Sequence, residues 1–309
     1  MGGSGGYGFD RRQGTVWQPA DLEQSLAQTR QQAQKAEVAR MFQDALAQIN
    51  QIDTKALNRH KEEIFQALKT AYEEADDLRG GGSYSQHTYV DGISDVDMLF
   101  VLDAFSSSKI SNKESSKAVL ADMEKRLRQR FPTTDIKSGR MAVTLTFSDG
   151  LELQVLPAFR YHSGFRVPDY RGSGWVESRP HVFNELLQQR NKEMGGQLVP
   201  CIKLTKQICK NQGVEVKSYH LSNMAVKAFE QYTGTKSHED MLRHFFNKAK
   251  ELTATRMKDV TGQGPYVDNH LTGKTQRIAL AQQLGAIEQQ IAQAEGKASE
   301  WQKLLQRPD

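Results

Sequence analysis

Two aspartates, Asp95 and Asp97, lie one residue apart at the start of the apolar run Val96–Leu102. If this run is a strand, their side chains leave the same face of it. Carboxylates this close repel each other unless protons or cations compensate them. Two Mg²⁺ ions about 3.5–4 Å apart are a natural compensation, and such a pair supports in-line phosphoryl displacement. The aspartates therefore predict a metal site, although the short Asp-x-Asp pattern is also typical of a polar strand end.

The segment before this pair, RGGGSYSQHTY, is rich in the small residues that phosphate-binding loops use. Gly80, Gly81 and Gly82 permit positive φ and a close approach of the backbone, and Ser83 adds a hydroxyl. Backbone amides of such a loop can bind a triphosphate. Glycine-serine loops are common in proteins, so the prediction of a phosphate site depends on the aspartates that follow Ser83.

A predicted β-hairpin offers a third carboxylate. The runs AVTLTF and LELQVLP alternate in polarity and are joined by Ser-Asp-Gly, a strong turn signal. The alternation places Leu153 and Val155 on one face and Glu152 and Gln154 on the other. Since a metal pair usually needs a third carboxylate from a neighbouring strand, Glu152 is a candidate ligand. An ordinary solvent-facing glutamate is the alternative.

A basic helix is predicted in the second half of the chain. In PCIKLTKQICKNQ, Lys203, Lys206 and Lys210 recur at helical spacing and form one stripe. Such a stripe can bind phosphates, and it is also typical of a solvated helix face. The next helical segment, KSYHLSNMAVKAF, begins with Ser218 as a candidate N-cap, followed by Tyr219.

The elements that must position these residues follow the order helix, mixed α/β lobe and helical lobe. Apolar spacing predicts helices over 21–50 and from Thr54 to about Leu78, where the three glycines would end the second helix. Another helix is predicted from about residue 112 to 130. The helices expected beyond the hairpin cover 182–192, 198–211, 218–233, 237–250 and, as one long helix, 274–305.

Composition limits the class of protein. The 309 residues are 38% hydrophobic and 25% charged, as in a globular protein, and the net charge of +4 does not demand a long nucleic-acid tract. Two cysteines, Cys201 and Cys209, cannot form a disulfide framework, so a cytoplasmic location is expected. The amino terminus lacks the apolar core of a signal peptide, and no window reaches the roughly 18 apolar residues of a membrane span.

Together these motifs resemble one superfamily. Gly82-Ser83, Asp95-x-Asp97 and LELQVLPAF with Pro157 are similar to the nucleotidyltransferases that include DNA polymerase beta. Within that superfamily the pattern is most similar to the cGAS/DncV-like nucleotidyltransferases (CD-NTases) of bacterial anti-phage signalling, and to oligoadenylate synthases. The resemblance extends over residues 54–292.

The resemblance implies an α+β fold of two lobes, a catalytic lobe with a mixed sheet and a helical lobe. The expected division is a flexible tail at 1–20, the catalytic lobe with its N-terminal helices at 21–178, and the helical lobe at 179–309. Many relatives carry the third carboxylate directly before the Val-Leu-Pro segment, where this chain has Gln154. Glu152 leaves the same strand face and is assigned that role instead.

The resemblance also implies the remaining site residues. Gly82 and Ser83 would bind the donor triphosphate, and Asp95, Asp97 and Glu152 would be the catalytic metal ligands. Lys206 and Lys203 would contact phosphates, and Ser218 and Tyr219 would meet the donor nucleotide. Tyr219 could stack on the base, or it could instead pack at the junction of the lobes.

The function implied is template-independent synthesis of a cyclic di- or trinucleotide from ATP and other NTPs, with two Mg²⁺ ions or Mn²⁺. A downstream effector would sense the product, and neither a membrane nor an extended nucleic acid is an expected partner. An activating partner leaves no signature in the sequence. Two alternatives stay open: a transferase that adds nucleotides to RNA or to a protein, and a nucleotide-binding module without catalysis.

Overall fold

The computed structural model describes residues 19–93, 95–102, 115–170, 174–262 and 266–306, so the predicted flexible tail lies almost wholly outside the described residues. The order of elements is α1 (Pro19–Ile49), α2 (Thr54–Lys69), β1 (Ala75–Gly80), α3 (Gly82–Ser85), β2 (Val96–Leu102), α4 (Ser116–Arg130), β3 (Asp135–Ser138), β4 (Val143–Thr146), β5 (Glu152–Tyr161), β6 (Gly164–Pro168), β7 (Trp175–Ser178), α5 (Pro180–Glu193), α6 (Leu198–Asn211), α7 (Ser218–Ala228), α8 (His238–Thr253), α9 (Lys274–Gln293) and α10 (Ala298–Leu305).

The strands form one mixed sheet, as predicted. Its order is β1-β2-β5-β4-β3, and β6 pairs with both β5 and β7. β2 and β5 are parallel, whereas the other pairs are antiparallel. The predicted hairpin is confirmed as β4 and β5, with Gly150 at φ +84° in the turn.

Two of the hydrophobic clusters among the described residues are large, and they support the two lobes. In the first, α2 and α4 cover one face of the sheet, where Val96, Met98 and Phe100 of β2 point. Most residues of the second core come from the helices after β7. The predicted division counted α1 with the catalytic lobe, but Val38 and Phe42 of α1 pack in the second core, Phe42 edge-on to Trp301 with ring centroids 4.8 Å apart. By its packing α1 therefore belongs with the helical lobe.

The prediction of one helix from Thr54 to about Leu78 is wrong. α2 ends at Lys69, and residues 75–80 form β1, which pairs antiparallel with β2. Local helix propensity is overridden because the pairing satisfies the backbone and buries Ala75 and Leu78 in the sheet core. A strand made by distant pairing has no local signal in this polar segment.

The carboxy-terminal helix also differs from the prediction. Residues 274–305 form α9 and α10, separated by a turn in which Gly296 has φ +68°. The break lets Trp301 of α10 fold back into the second core. The start predicted for the helix near residue 112 lies outside the described residues; the described helix α4 has Ser115 as its N-cap. Of the described helices, none has the length and apolar character needed to cross a membrane.

Candidate active site

The glycine-serine loop meets the second aspartate directly. β1 runs into the short helix α3, and the Gly81 amide donates to the backbone oxygen of Asp97 at 2.7 Å. Gly82 has φ +45°, and a Cβ placed there would lie 1.7 Å from Asp97 Oδ2. The Ser83 backbone amide hydrogen-bonds the same carboxylate, and Ser83 is buried. Glycine at position 82 is therefore what allows Asp97 to sit against the loop.

The polar side chains of β2 and β5 share the face of the sheet opposite α2 and α4. The parallel register pairs Asp97 with Gln154 and Val96 with Leu153. Gln154 Nε2 donates to Asp95 Oδ2 at 2.6 Å. Gln154 therefore lies beside Asp97 in the neighbouring strand, and its neutral side-chain amide hydrogen-bonds Asp95.

Glu152 lies two residues before Gln154 on β5, and its side chain is beside that of Asp95. Its carboxyl group contacts that of Asp95 and is 3.5 Å from Thr146 Oγ1. Burial and the charge of Asp95 raise the pKa of Glu152. Across the described residues, no group of three or more His, Cys, Asp or Glu side chains is arranged to hold a metal ion. The role of Glu152 as third ligand stays a prediction.

Asp97 is in an unfavourable environment for a negative charge. Burial, and after it the charge of Asp95, raise the pKa of Asp97 to about 6, while Lys206 and the Ser83 amide oppose the rise. A cation between the two carboxylates would remove this penalty. The donor set consists of carboxylate oxygens, which are the ligands that Mg²⁺ and Mn²⁺ prefer.

The lysine stripe of α6 differs along its length: Lys206 is buried at the junction of the lobes, Lys203 is half-buried and Lys210 is exposed. Lys206 is 4% exposed, and its Nζ donates to the Thr88 carbonyl at 2.7 Å. Burial, assisted by Lys203, lowers the pKa of Lys206 to about 7, although Asp97 opposes the fall. Lys203 Nζ donates to Asn50 Oδ1 at 2.5 Å, and burial lowers the pKa of Lys203. The alternative of a solvated basic face is wrong for Lys206.

The predicted nucleotide residues of α7 lie beside the same junction. Ser218 is the first residue of α7, so the N-cap is Lys217 and not Ser218. Tyr219 packs on Phe183 with ring centroids 5.0 Å apart, and its hydroxyl donates to Asp259 Oδ2 at 2.6 Å. α7 packs against α3, next to the glycine-serine loop.

Two cavities adjoin these residues. One, of about 880 Å³, is lined by Lys206, Lys210 and Ser218. The other, of about 520 Å³, is lined by Asp95 and Glu152. Both are bordered by Ile93. A cavity lined by two lysines therefore adjoins one lined by Asp95 and Glu152.

Sequence reasoning missed three partners of the site. Thr88 accepts the hydrogen bond of Lys206, Asn50 accepts that of Lys203, and Asp259 accepts that of Tyr219. These contacts join residues far apart in the chain, and none of the three residues belongs to a recognisable local motif. No sequence signal would have found them.

A mixed sheet with an aspartate directly before β2 and another on it, a glycine-serine loop beside them and a helical lobe define a two-lobed, polymerase beta-like nucleotidyltransferase. The model of one family, the Second Messenger Oligonucleotide or Dinucleotide Synthetase domain (SMODS), matches residues 36–191, half of the chain. The chain belongs to this family and is a nucleotidyltransferase, which confirms the family expected from the motifs.

Solved structures with the same fold are CD-NTases. CdnC of E. coli MS115-1 with ATP matches with a TM-score of 0.66 at 14% identity, covering 87% of this chain and 96% of that one. CdnG of Bradyrhizobium diazoefficiens with GTP matches with a TM-score of 0.68 at 13% identity, covering 87% of this chain and 94% of that one. E. coli DncV with 3'-deoxy GTP matches with a TM-score of 0.61 at 12% identity, covering 94% of this chain and 91% of that one. No curated protein matches the chain.

Proposed function

We propose that this chain joins nucleoside triphosphates without a template into a cyclic di- or trinucleotide, a second messenger of anti-phage defence of the CBASS type. The observation that carries the proposal is the contact between Asp97 and the Gly82–Ser83 loop, which brings a carboxylate pair and a phosphate-binding backbone together. Membership of the SMODS family supports the same reaction class.

The donor triphosphate would lie on the backbone amides of Gly82 and Ser83. Lys206 would neutralise part of its charge from the helical lobe, since its ammonium group is already buried next to Asp97. Lys203 Nζ donates a hydrogen bond to Asn50; it would help to bind the triphosphate after exchanging that partner for a phosphate oxygen. Ser218 would contact the nucleotide beside Lys206, and Tyr219 would present its ring to the base.

Two Mg²⁺ ions, or Mn²⁺, would offset the unfavourable burial and mutual repulsion that raise the pKa values of Asp97 and Glu152 beside Asp95. Asp95, Asp97 and Glu152 would hold them, and substrate phosphates commonly complete such coordination. Bound ions of this kind lower the pKa of an acceptor hydroxyl and neutralise charge that develops on pyrophosphate. Gln154 would keep Asp95 oriented through its amide.

In the transfer, the acceptor ribose oxygen forms a bond to the α-phosphorus of the donor. The bond from that phosphorus to the bridging oxygen breaks, which releases pyrophosphate, and the hydroxyl proton passes to solvent. The chain's own residues fix the donor on the loop and the acceptor in the cleft, and this positioning removes most of the entropic cost of bringing two nucleotides together. A second transfer within the same cleft would close the ring.

Further parts of the proposal concern the surroundings of the enzyme. Its substrates would be ATP and other NTPs, and it would act in the cytoplasm. Its product would bind to an effector protein. CdnC of E. coli MS115-1 has been solved in complex with HORMA-deltaN. By analogy, a regulatory protein partner is proposed for this chain.

The test is to incubate purified protein with the four NTPs and Mg²⁺ or Mn²⁺ and to identify small products by mass spectrometry. Asp97→Asn should abolish the product while the protein stays folded. Asp77→Asn is the matched control, because Asp77 is a half-buried aspartate of β1 whose side chain pairs locally with Arg79. Nucleotide found on RNA or protein would support the transferase alternative, and binding without turnover would support the non-catalytic one.

A further inference from the structure

Tyr219 is fixed at two points. Its backbone carbonyl accepts a hydrogen bond from Asn223 Nδ2 at 2.9 Å, and its hydroxyl donates to Asp259 Oδ2 at 2.6 Å. The Phe183 ring supports one side of the tyrosine ring. Tyr219 nevertheless remains 40% exposed. The ring is therefore held in place while part of it stays accessible.

Asp259, the acceptor, is in turn held by its own loop. It is 8% exposed, and its Oδ1 accepts from the Thr261 amide at 2.8 Å and from Thr261 Oγ1 at 2.7 Å. This is an Asx-type turn, which fixes the carboxylate relative to the backbone. Asn223, completely buried, also accepts from the Val260 amide at 3.0 Å. Two hydrogen bonds, one to Tyr219 and one to Asn223, thus join this loop to the amino-terminal half of α7.

The hydrogen bond also fixes the chemical state of the tyrosine. Burial, together with the hydrogen bond to Asp259 and its charge, raises the pKa of Tyr219 well above its usual range. The side chain remains a neutral phenol that donates to Asp259 over the whole physiological range. A neutral ring is a suitable surface for stacking a nucleobase.

The position of this arrangement connects it with the glycine-serine loop. Phe183 supports Tyr219, and the neighbouring Asn184 donates through Nδ2 to Ser85 Oγ of α3 at 3.3 Å. α5, α7 and the helix that begins at Gly82 are therefore in contact around Tyr219. A donor nucleotide with its phosphates on the loop would have its base within this neighbourhood.

We propose that Asp259 is a positioning residue that holds the Tyr219 ring in the orientation that stacks on the base of the donor nucleotide. The inference rests on the proposed function, in which Tyr219 meets that base. A ring that is ordered before binding loses no rotamer freedom when the base arrives. The avoided cost of ordering one side chain corresponds to roughly two- to tenfold in affinity.

The test is a double-mutant cycle on nucleotide binding. Isothermal titration measures the Kd of a non-hydrolysable ATP analogue with Mg²⁺ for the wild type, Asp259→Ala, Tyr219→Phe and the double variant. Each single change should raise Kd roughly two- to tenfold, and the double change no more than the larger single effect. Inorganic triphosphate is the second probe; its Kd should stay constant, because it has no base to stack.

A rescue variant separates positioning from general stability. Asp259→Asn keeps the turn with Thr261 and an amide that can hydrogen-bond the Tyr219 hydroxyl, so it should restore most of the affinity. If Asp259→Ala does not fold, Tyr219→Phe removes the same hydrogen bond from the other side and leaves the turn intact.

The inference would be overturned if the fold-changes in Kd of the two single variants multiplied in the double variant. It would also be overturned if the variants bound the ATP analogue and inorganic triphosphate equally more weakly, or if their Kd for the analogue equalled that of the wild type. Failure of the proposed function has a different signature. A wild type that binds the analogue but forms no product would overturn the function alone. Normal product formation, with analogue affinity unchanged in the variants, would overturn the inference alone.

Discussion

Replacing Gly82 with alanine should disable catalysis without unfolding the protein. The added Cβ would lie 1.7 Å from Asp97 Oδ2, whereas real Cβ atoms essentially never approach another heavy atom closer than 3.0 Å. The loop and the carboxylate must therefore separate by at least 3.0 − 1.7 = 1.3 Å. Both groups belong to the proposed site, so neither can move without cost to the reaction.

The size of the expected effect follows from this displacement. Misplacing a reacting group by about 1 Å can cost about 100-fold in rate, so kcat should fall at least about 100-fold. Gly82 also has φ +45°, where a residue with a Cβ is strained by about 1–2 kcal/mol. This strain should lower Tm by only a few degrees.

The assay is pyrophosphate release at saturating NTP with Mg²⁺, together with thermal denaturation. Gly296→Ala is the matched control, because Gly296 has φ +68° but nothing lies within 4 Å of a Cβ there. It should show similar strain and an unchanged kcat. The reasoning would be refuted if Gly82→Ala kept more than about a tenth of the wild-type kcat, or if both variants lost activity equally.

Three further predictions concern charge. Glu152→Gln should reduce kcat at least about 100-fold if Glu152 is a metal ligand, whereas Thr146→Val, which removes only its distant hydroxyl neighbour, should retain activity; the same pyrophosphate assay decides. The pKa of Lys206 is lowered to about 7, so the amine loses its proton as pH rises through 7 and NTP affinity should fall by up to about tenfold per pH unit above it. Lys206→Arg stays charged, so a calorimetric Kd that rises equally with pH for both proteins would contradict this. Burial, with His270, lowers the pKa of His220 from 6.5 to about 4; the unfolded state then binds the proton first, so stability present above 6.5 should be lost by about 3 kcal/mol as pH falls towards 4. Urea denaturation of wild type and His220→Gln at several pH values tests this, since only the wild type should show that loss.

Much of the catalytic lobe could be predicted from sequence because its signals are local. Alternation in LELQVLP predicts which face Glu152 and Gln154 occupy, and the Asp-Gly turn predicts the hairpin. The spacing of Asp95 and Asp97 predicts that both side chains leave one face of β2. These inferences need only the two-residue period of a strand.

The parts that could not be predicted depend on contacts between distant segments. β1 forms because β2 lies beside it, and the polar segment that contains it has no strand pattern of its own. The burial of Lys206 requires the loop at Thr88 to fold over α6. The spacing of the lysines predicts that they share a helix face, but not whether that face meets solvent or the other lobe.

The account is tested most directly by the structure of the product. Wild-type protein is incubated with NTPs and Mg²⁺, the mixture is treated with phosphatase, and the remaining compounds are identified by mass spectrometry. A cyclic product has no terminal phosphate, so the account predicts a phosphatase-resistant compound of two or three nucleotide units that is absent with Asp97→Asn. Only linear products, label on a macromolecule, or the same compound formed by Asp97→Asn would contradict it.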